Sequence, residues 1–72
     1  MSTDAGLRTR IRDVAGMARA NAEHANVQHR NAELAPGAVT PERLLVIVNH
    51  RASAIAWTVV ATALEELLVA EE

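Results

Sequence analysis

Residues 35–41 read APGAVTP, and this short stretch divides the chain into two halves of different composition. Pro36 disfavours helical backbone at the residue before it, and Gly37 accepts a positive φ at little cost. These two residues therefore stop a helix that arrives from the N-terminal side and allow the chain to turn back. The stretch predicts a loop over residues 35–40 between two helices.

The second half opens with a helix start and then meets no helix breaker. Thr40 can cap the helix, Pro41 suits its first position and Glu42 favours the positive end of its dipole. Neither Gly nor Pro follows as far as Ala70, and a helix of that length extends about 45 Å. The pattern predicts a helix over about residues 41–70.

Apolar side chains cover more of this helix than the single face of an ordinary surface helix. A main stripe follows a three- and four-residue spacing through Ile47, Ala54, Trp57, Ala61, Leu64 and Leu68, with His50 as its one interruption. A second stripe beside it contains Leu45, Val48, Ala52, Ile55, Val59 and Thr62. We expect the sole aromatic residue, Trp57, to fill the core space that its small neighbours leave.

The first half carries a weaker helical pattern built from smaller residues. Ser2 or Thr3 can cap a helix and Asp4 suits its first turn, which predicts a helix over about 4–34 after flexible residues 1–3. Heptad spacing then runs through Leu7, Ile11, Val14, Ala18, Asn21, Ala25, Gln28, Ala32 and Ala35. Because this seam is rich in Ala, we expect it to pack closely against a bulkier partner.

Gly16 and the Asn residues of this half lower its helix propensity, so a bend or break between Gly16 and Asn31 stays open. Two long helices joined by a short loop lie antiparallel. The sequence therefore predicts an all-α fold, an antiparallel two-helix hairpin that forms a single domain over residues 1–72.

One hairpin of 72 residues cannot bury so much apolar surface by itself. The chain has no Cys to form a disulfide, and a compact fold of this size buries only about 60% of its unfolded surface. An apolar flank left on the second helix would exceed the patches that soluble monomers tolerate. We therefore expect a homodimeric four-helix bundle, or a tetramer, with the second helix at its centre. The expected interface residues are Leu44, Ile47, Val48, Ala54, Ile55, Trp57, Ala61, Leu64 and Leu68.

Asn49, His50 and Arg51 form a polar turn inside this apolar helix. A buried polar layer fixes the register of a helical bundle at some cost in stability, and this is the role that we expect for the three residues. Arg51 would then pair with a carboxylate of the first helix, such as Glu23 or Glu33. The alternative is that the polar turn lines a pocket for a small molecule or a partner.

The first helix holds the one local cluster of basic residues, Arg8, Arg10 and Arg12. Arg8 and Arg12 share a helix face, and together with Arg19 they are candidates for phosphate contacts in a nucleic-acid-binding dimer. No aromatic residue accompanies them, and residues 1–35 carry a net charge of only +1 from five Arg and four acidic residues. Nucleic acid is therefore a less favoured partner.

Two groups of side chains in the first half have the spacing of ligand sets. His29 and Glu33 are four residues apart, which suits a metal ion or a shared proton, and His24, Gln28 and Asn31 fall on one face. A metal site needs three or four converging ligands, so we expect solvated polar faces and no metal or cofactor. Because no nucleophile–base pair or phosphate-binding loop occurs, the sequence favours a protein that is not an enzyme.

The pattern favours a small interaction protein that binds itself and modulates another, unidentified protein. A membrane span is disfavoured because the uncharged run of residues 52–64 has only 13 residues, fewer than the roughly 20 that cross a bilayer. A peripheral helix on the membrane surface is a further alternative.

The polar N-terminus lacks a secretory signal and predicts a cytoplasmic protein. The use of Arg without Lys favours a GC-rich genome, such as that of an actinobacterium or one of its phages.

Overall fold

The computed structural model describes residues 2–70, with side chains from residue 5 onward, and this part of the chain is helical without strands. Helix α1 comprises Ser2–Leu34 and helix α2 comprises Pro41–Ala70. Residues 35–40 join the helices as a loop, and the helices lie side by side in a rod of 58 × 15 × 14 Å. The predicted all-α helical hairpin is confirmed.

The boundaries of α2 and of the loop agree with the prediction, whereas α1 begins earlier. The backbone of residues 2 and 3, which we expected in a flexible N-terminus, belongs to α1. Met1 lies outside the described part, and so do the side chains of Ser2 and Thr3, the expected caps, and of Asp4, which we expected in the first turn. α1 also continues without a break between Gly16 and Asn31. Packing along α2 therefore outweighs the cost of about 1 kcal/mol that a Gly brings to a helix.

The contact between the two helices is made of small side chains. Every buried side chain among the described residues is an Ala, namely Ala15, Ala18, Ala22, Ala25, Ala54 and Ala61. The distance between two packed helices depends on the side chains at the contact, and Ala permits a close approach. The hairpin consequently has a thin core that buries little apolar surface.

The contact face of α1 differs from the predicted heptad seam at every second position, where the residue that faces α2 is the next one along the chain. The positions Ile11, Ala18, Ala25 and Ala32 lie on this face as predicted, but Leu7, Val14, Asn21 and Gln28 are exposed, and Arg8, Ala15, Ala22 and His29 replace them. Both sets have the spacing of a helix face. The predicted set carries the larger apolar side chains, whereas close approach of the backbones selects the set with more Ala.

The main stripe of α2, which we expected at the dimer interface, faces α1 within the chain, with one exception. Its buried or half-buried members are Ile47, His50, Ala54, Ala61, Leu64 and Leu68. Trp57 leaves 40% of its surface exposed, and the neighbouring Thr58 is half-buried in its place. An indole is too large for the narrow space between two closely packed helices. Trp57 therefore lies at the edge of the contact, and our expectation that it fills the core is wrong for the hairpin.

The Arg43 side chain links the start of α2 to the loop and to the end of α1 through hydrogen bonds. The predicted helix start is confirmed, because Thr40 Oγ1 accepts a hydrogen bond of 3.1 Å from the backbone N–H of Arg43. The Arg43 guanidinium donates to the carbonyl oxygen of Gly37 at 2.9 Å, to that of Ala32 at 3.2 Å and to that of Ala35. Its acceptors include carbonyls that the end of a helix leaves without partners. Gly37 has the expected positive φ, with a value of 113°.

Candidate interaction surface

The outward face of α2 is apolar over most of its length. Ten large apolar side chains of this helix are exposed, namely Leu44, Leu45, Val46, Val48, Ile55, Trp57, Val59, Val60, Leu67 and Val69. Between Leu44 and Leu64 the only charged residue is Arg51. Exposed apolar faces of this extent are typical of surfaces that contact another protein or a membrane.

The outward face of α1 is more polar than that of α2. Its exposed side chains include the charged residues Arg10, Arg12, Asp13, Glu23 and Arg30. α1 also exposes five large apolar side chains, namely Leu7, Val14, Met17, Val27 and Leu34. The hairpin is therefore a rod with a mixed, more polar side formed by α1 and an apolar side formed by α2.

The apolar side of α2 has two flanks that differ in exposure. The second stripe includes Leu45, Val48, Ile55 and Val59, which are each 56–64% exposed. The opposite flank, which we define by Val46, Trp57, Val60 and Leu67, is 40–50% exposed. α1 thus covers more of the opposite flank and leaves the second stripe more open to a partner.

The structure divides the nine expected interface residues between two surfaces. The five that face α1 are Ile47, Ala54, Ala61, Leu64 and Leu68, and the four that are exposed are Leu44, Val48, Ile55 and Trp57. The first group makes contacts within the chain. The second group lies on the apolar surface that a second molecule can reach.

The three residues of the polar turn of α2 differ in exposure. His50 is half-buried on the side of α1, whereas Asn49 and Arg51 are exposed. No ion pair among residues 5–70 joins Arg51 to Glu23 or Glu33, the two carboxylates that we expected to bind it. Burial of this polar turn therefore requires a second molecule, and the buried polar layer stays a prediction.

A shallow groove of about 510 Å³ lies beside the polar turn, between the two helices. Its lining residues are Asn26, His29, Arg51, Ala54, Ile55, Thr58 and Val59. His29 Nε2 lies 2.6 Å from Glu33 Oε1, which confirms the proximity expected from their spacing. Thr58 Oγ1 donates to the carbonyl oxygen of Ala54 at 2.7 Å, so its hydroxyl proton is used within the helix. The groove belongs to the same side of the hairpin as the second stripe.

The basic residues of α1 have different surroundings. Arg19 Nη2 lies 2.5 Å from Glu65 Oε1 of α2, and this ion pair links the two helices. Arg8 is half-buried toward α2, while Arg12 is exposed. The pairing of Arg19 with Glu65 reduces the positive charge that this side of α1 offers to a phosphate group. Contacts of these three Arg residues with phosphate stay a prediction.

The two candidate ligand sets of α1 are not joined by further metal-ligating side chains among the described residues. His24, Gln28 and Asn31 are all exposed on α1. In the part of the chain that the structure describes, no three His, Asp or Glu side chains come close enough to hold a metal ion. His29 and Glu33 therefore contact each other on the surface of α1, and the His29 imidazole is half-buried.

α2 is also the one described helix that is long and apolar enough to cross a membrane. Its 30 residues include a window with a mean hydropathy of 1.5, of which 11% is buried. Core helices of soluble proteins pass the same test, so that length and hydropathy alone are weak support for a span. Most of this apolar window is therefore left uncovered by the hairpin itself.

No protein family, curated protein or solved structure matches the chain. The functional interpretation therefore depends on the surface of the hairpin. Sequence reasoning found the second stripe and the polar turn, but it missed the caps made by Arg43 and the ion pair of Arg19 with Glu65. Arg19 and Glu65 are 46 residues apart, and only the register of the two helices brings them together. Arg43 reaches carbonyls across the loop, and the loop conformation decides which of them it meets.

Proposed function

We propose that the protein is a non-enzymatic interaction protein that acts as a homodimer. Two hairpins form a four-helix bundle in which α2 of one protomer packs against α2 of its partner, with α1 on the outside. The observation that carries this proposal is the exposed apolar face of α2, with ten large apolar side chains open to solvent.

The size of the apolar contribution supports association. Among the described residues, only six Ala side chains are fully buried within one hairpin, and the large apolar side chains that face α1 are half-buried. Burial of roughly 1,000 Å² of apolar surface per chain would contribute on the order of 25 kcal/mol before the costs of ordering and association. Association would therefore add a large apolar contribution to that of the hairpin.

The outer surface of such a dimer would serve its biological partner. In the bundle the charged face of α1 stays accessible, with Arg12, Glu23 and Arg30 among its exposed residues. A small accessory protein of this design binds a second, unidentified protein through charged and polar contacts and modulates it. The mixed signs of the charges favour a protein surface over a polyanion.

Sedimentation analysis over a wide range of protein concentration tests the dimer. We expect a mass of twice the 7.7 kDa of the chain at micromolar concentration. The Tm should rise with protein concentration, because association stabilises the folded state by mass action. A monomeric mass together with a Tm that does not depend on concentration would overturn the proposal.

The second candidate function is that of a peripheral protein whose α2 lies on a membrane surface. Its support is the hydropathy of α2, 1.5 over its most apolar window, together with the low burial of that window. Arg51, His50 and Asn49 disfavour full insertion, because polar groups in hydrocarbon cost several kcal/mol. Co-sedimentation with vesicles of neutral lipid separates the two candidates, since the homodimer would stay in the supernatant.

A further inference from the structure

The second stripe continues beyond the residues that first define it. Glu66 and Val69 follow Thr62 at the same spacing of four and three residues, so the stripe extends from Leu45 to Val69. This length corresponds to about 36 Å of helix. A stripe that keeps alternating three- and four-residue steps over this distance is typical of a helix that pairs with another helix.

The stripe fits a second copy of itself when the two helices run in opposite directions. In a two-fold pair centred between Ile55 and Val59, Ile55 lies opposite Val59 of the partner subunit. The next layers place Ala52 opposite Thr62 of the partner subunit and Val48 opposite Glu66 of the partner subunit. Every layer then brings together two positions of the stripe, as in an antiparallel coiled coil.

The charged residues on the second stripe and beside it favour antiparallel over parallel pairing of the two α2 helices. Arg51 lies one helical turn from Val48, so its guanidinium reaches the layer that contains the partner's Glu66. In a parallel pair, Glu66 would instead meet Glu66 of the partner subunit in one layer, and like charges so placed repel each other. Charge complementarity therefore favours the antiparallel arrangement.

Both charged residues are available for this contact. Arg51 and Glu66 are exposed, and neither forms an ion pair with another described residue of its own chain. Glu65, the neighbour of Glu66, is already paired with Arg19. Of the two carboxylates, the one without an ion pair among the described residues is thus the one that lies on the stripe.

The surface is large enough for a stable dimer. A specific interface takes about 800 Å² from each partner, which is about a seventh of the 5444 Å² that the hairpin exposes. The second stripe runs along nearly the whole of α2, and its large side chains are more than half exposed.

We infer that a second copy of this chain docks on the second stripe in antiparallel orientation, with Arg51 of each protomer paired with Glu66 of the partner subunit. This inference rests on the proposed homodimer and specifies its interface, its direction and its polar contact. The two symmetry-related ion pairs give Arg51 the carboxylate that α1 does not supply.

A charge-exchange experiment tests the ion pair. Arg51→Glu and Glu66→Arg each turn two attractive contacts per dimer into repulsive ones, so we expect each variant to raise the dimer Kd about tenfold or more. The double variant Arg51→Glu/Glu66→Arg should restore a Kd close to that of the unchanged protein. Glu23→Arg is the control, because it makes the same charge change on the exposed face of α1.

Cysteine cross-linking tests the direction independently, since the chain has no Cys of its own. An equimolar mixture of Ala52→Cys and Thr62→Cys should form a disulfide-linked dimer that contains one chain of each kind. Ala52→Cys alone should form none, because its two sulfur atoms lie in different layers.

The outcomes separate this inference from the proposed function. A monomeric unchanged protein would overturn both. A dimer whose Kd responds equally to Glu66→Arg and to Glu23→Arg, or whose double variant fails to recover, would overturn the ion pair and leave the homodimer standing. A cross-link in Ala52→Cys alone would overturn the antiparallel direction.

Discussion

Arg43 determines how the hairpin turns. Its guanidinium is placed by the first turn of α2, where the Thr40 cap holds the backbone N–H of Arg43. From there it donates to the carbonyl oxygens of Ala32 and Glu33 in the last turn of α1 and to that of Gly37 in the loop. One side chain thus satisfies acceptors that a helix end leaves unpaired and brings a positive charge to the negative end of the α1 dipole.

Removal of this side chain should loosen the turn. We expect Arg43→Ala to lower the free energy of unfolding by about 2 kcal/mol, since hydrogen bonds from a charged donor contribute about 1.5–3 kcal/mol. Urea denaturation at one fixed protein concentration measures this. Arg30→Ala, at an exposed position of α1, is the control and should change the stability by less than about 0.5 kcal/mol. Equal effects of the two variants would contradict the capping role.

Two glycines should respond to the same substitution in opposite directions. Gly16 lies inside α1 with open space where a Cβ would stand, so Gly16→Ala should stabilise the protein by about 0.5–1 kcal/mol through helix propensity. Gly37 has a φ of 113°, so Gly37→Ala should cost about 1–2 kcal/mol in backbone strain. Thermal unfolding of both variants checks the signs. A stabilised Gly37→Ala would show that the turn relaxes to another backbone conformation.

At the scale of the helix, the caps and breaks that end each helix can be predicted from the sequence. The face that a helix turns to its neighbour can be predicted only in part. The cap at Thr40, the break at Pro36 and the turn at Gly37 follow from the residues themselves. The face of α1 does not, because Val14 and Ala15 both belong to seams with helical spacing. Which of them faces α2 depends on how closely the backbones approach, and this distance results from both helices together.

The small residues of this contact should tolerate no increase in size. Ala22 is 3% exposed, and Ala22→Leu should destabilise the protein by about 1–3 kcal/mol because the helices must separate to admit it. Ala20→Leu, on the exposed surface of the same helix, should change the stability by less than about 0.5 kcal/mol. Chemical denaturation of the two variants compares them directly. A neutral Ala22→Leu would mean that the helices can shift apart at little cost.

At the scale of the molecule, the hairpin is a rod whose two long sides differ in polarity. The composition of each half predicted this difference, since the large aliphatic residues are concentrated in the second half. The exposure of each flank of α2 was not predictable, because it depends on where α1 lies across the main stripe. That position leaves the second stripe more open than the opposite flank, and so it decides which apolar surface a partner meets first.

The two flanks of α2 can be distinguished by placing one charge on each. Val59 lies at the centre of the second stripe and is 61% exposed, whereas its neighbour Val60 lies on the opposite flank and is 41% exposed. Val59→Glu would bury two carboxylates at the two-fold axis of the proposed dimer, and an unpaired buried charge costs several kcal/mol. Sedimentation should therefore show a monomer for Val59→Glu and a dimer for Val60→Glu, with circular dichroism to verify that both variants stay helical. The reverse result would place the dimer contact on the opposite flank, next to Trp57, and would make the second stripe the surface that remains free.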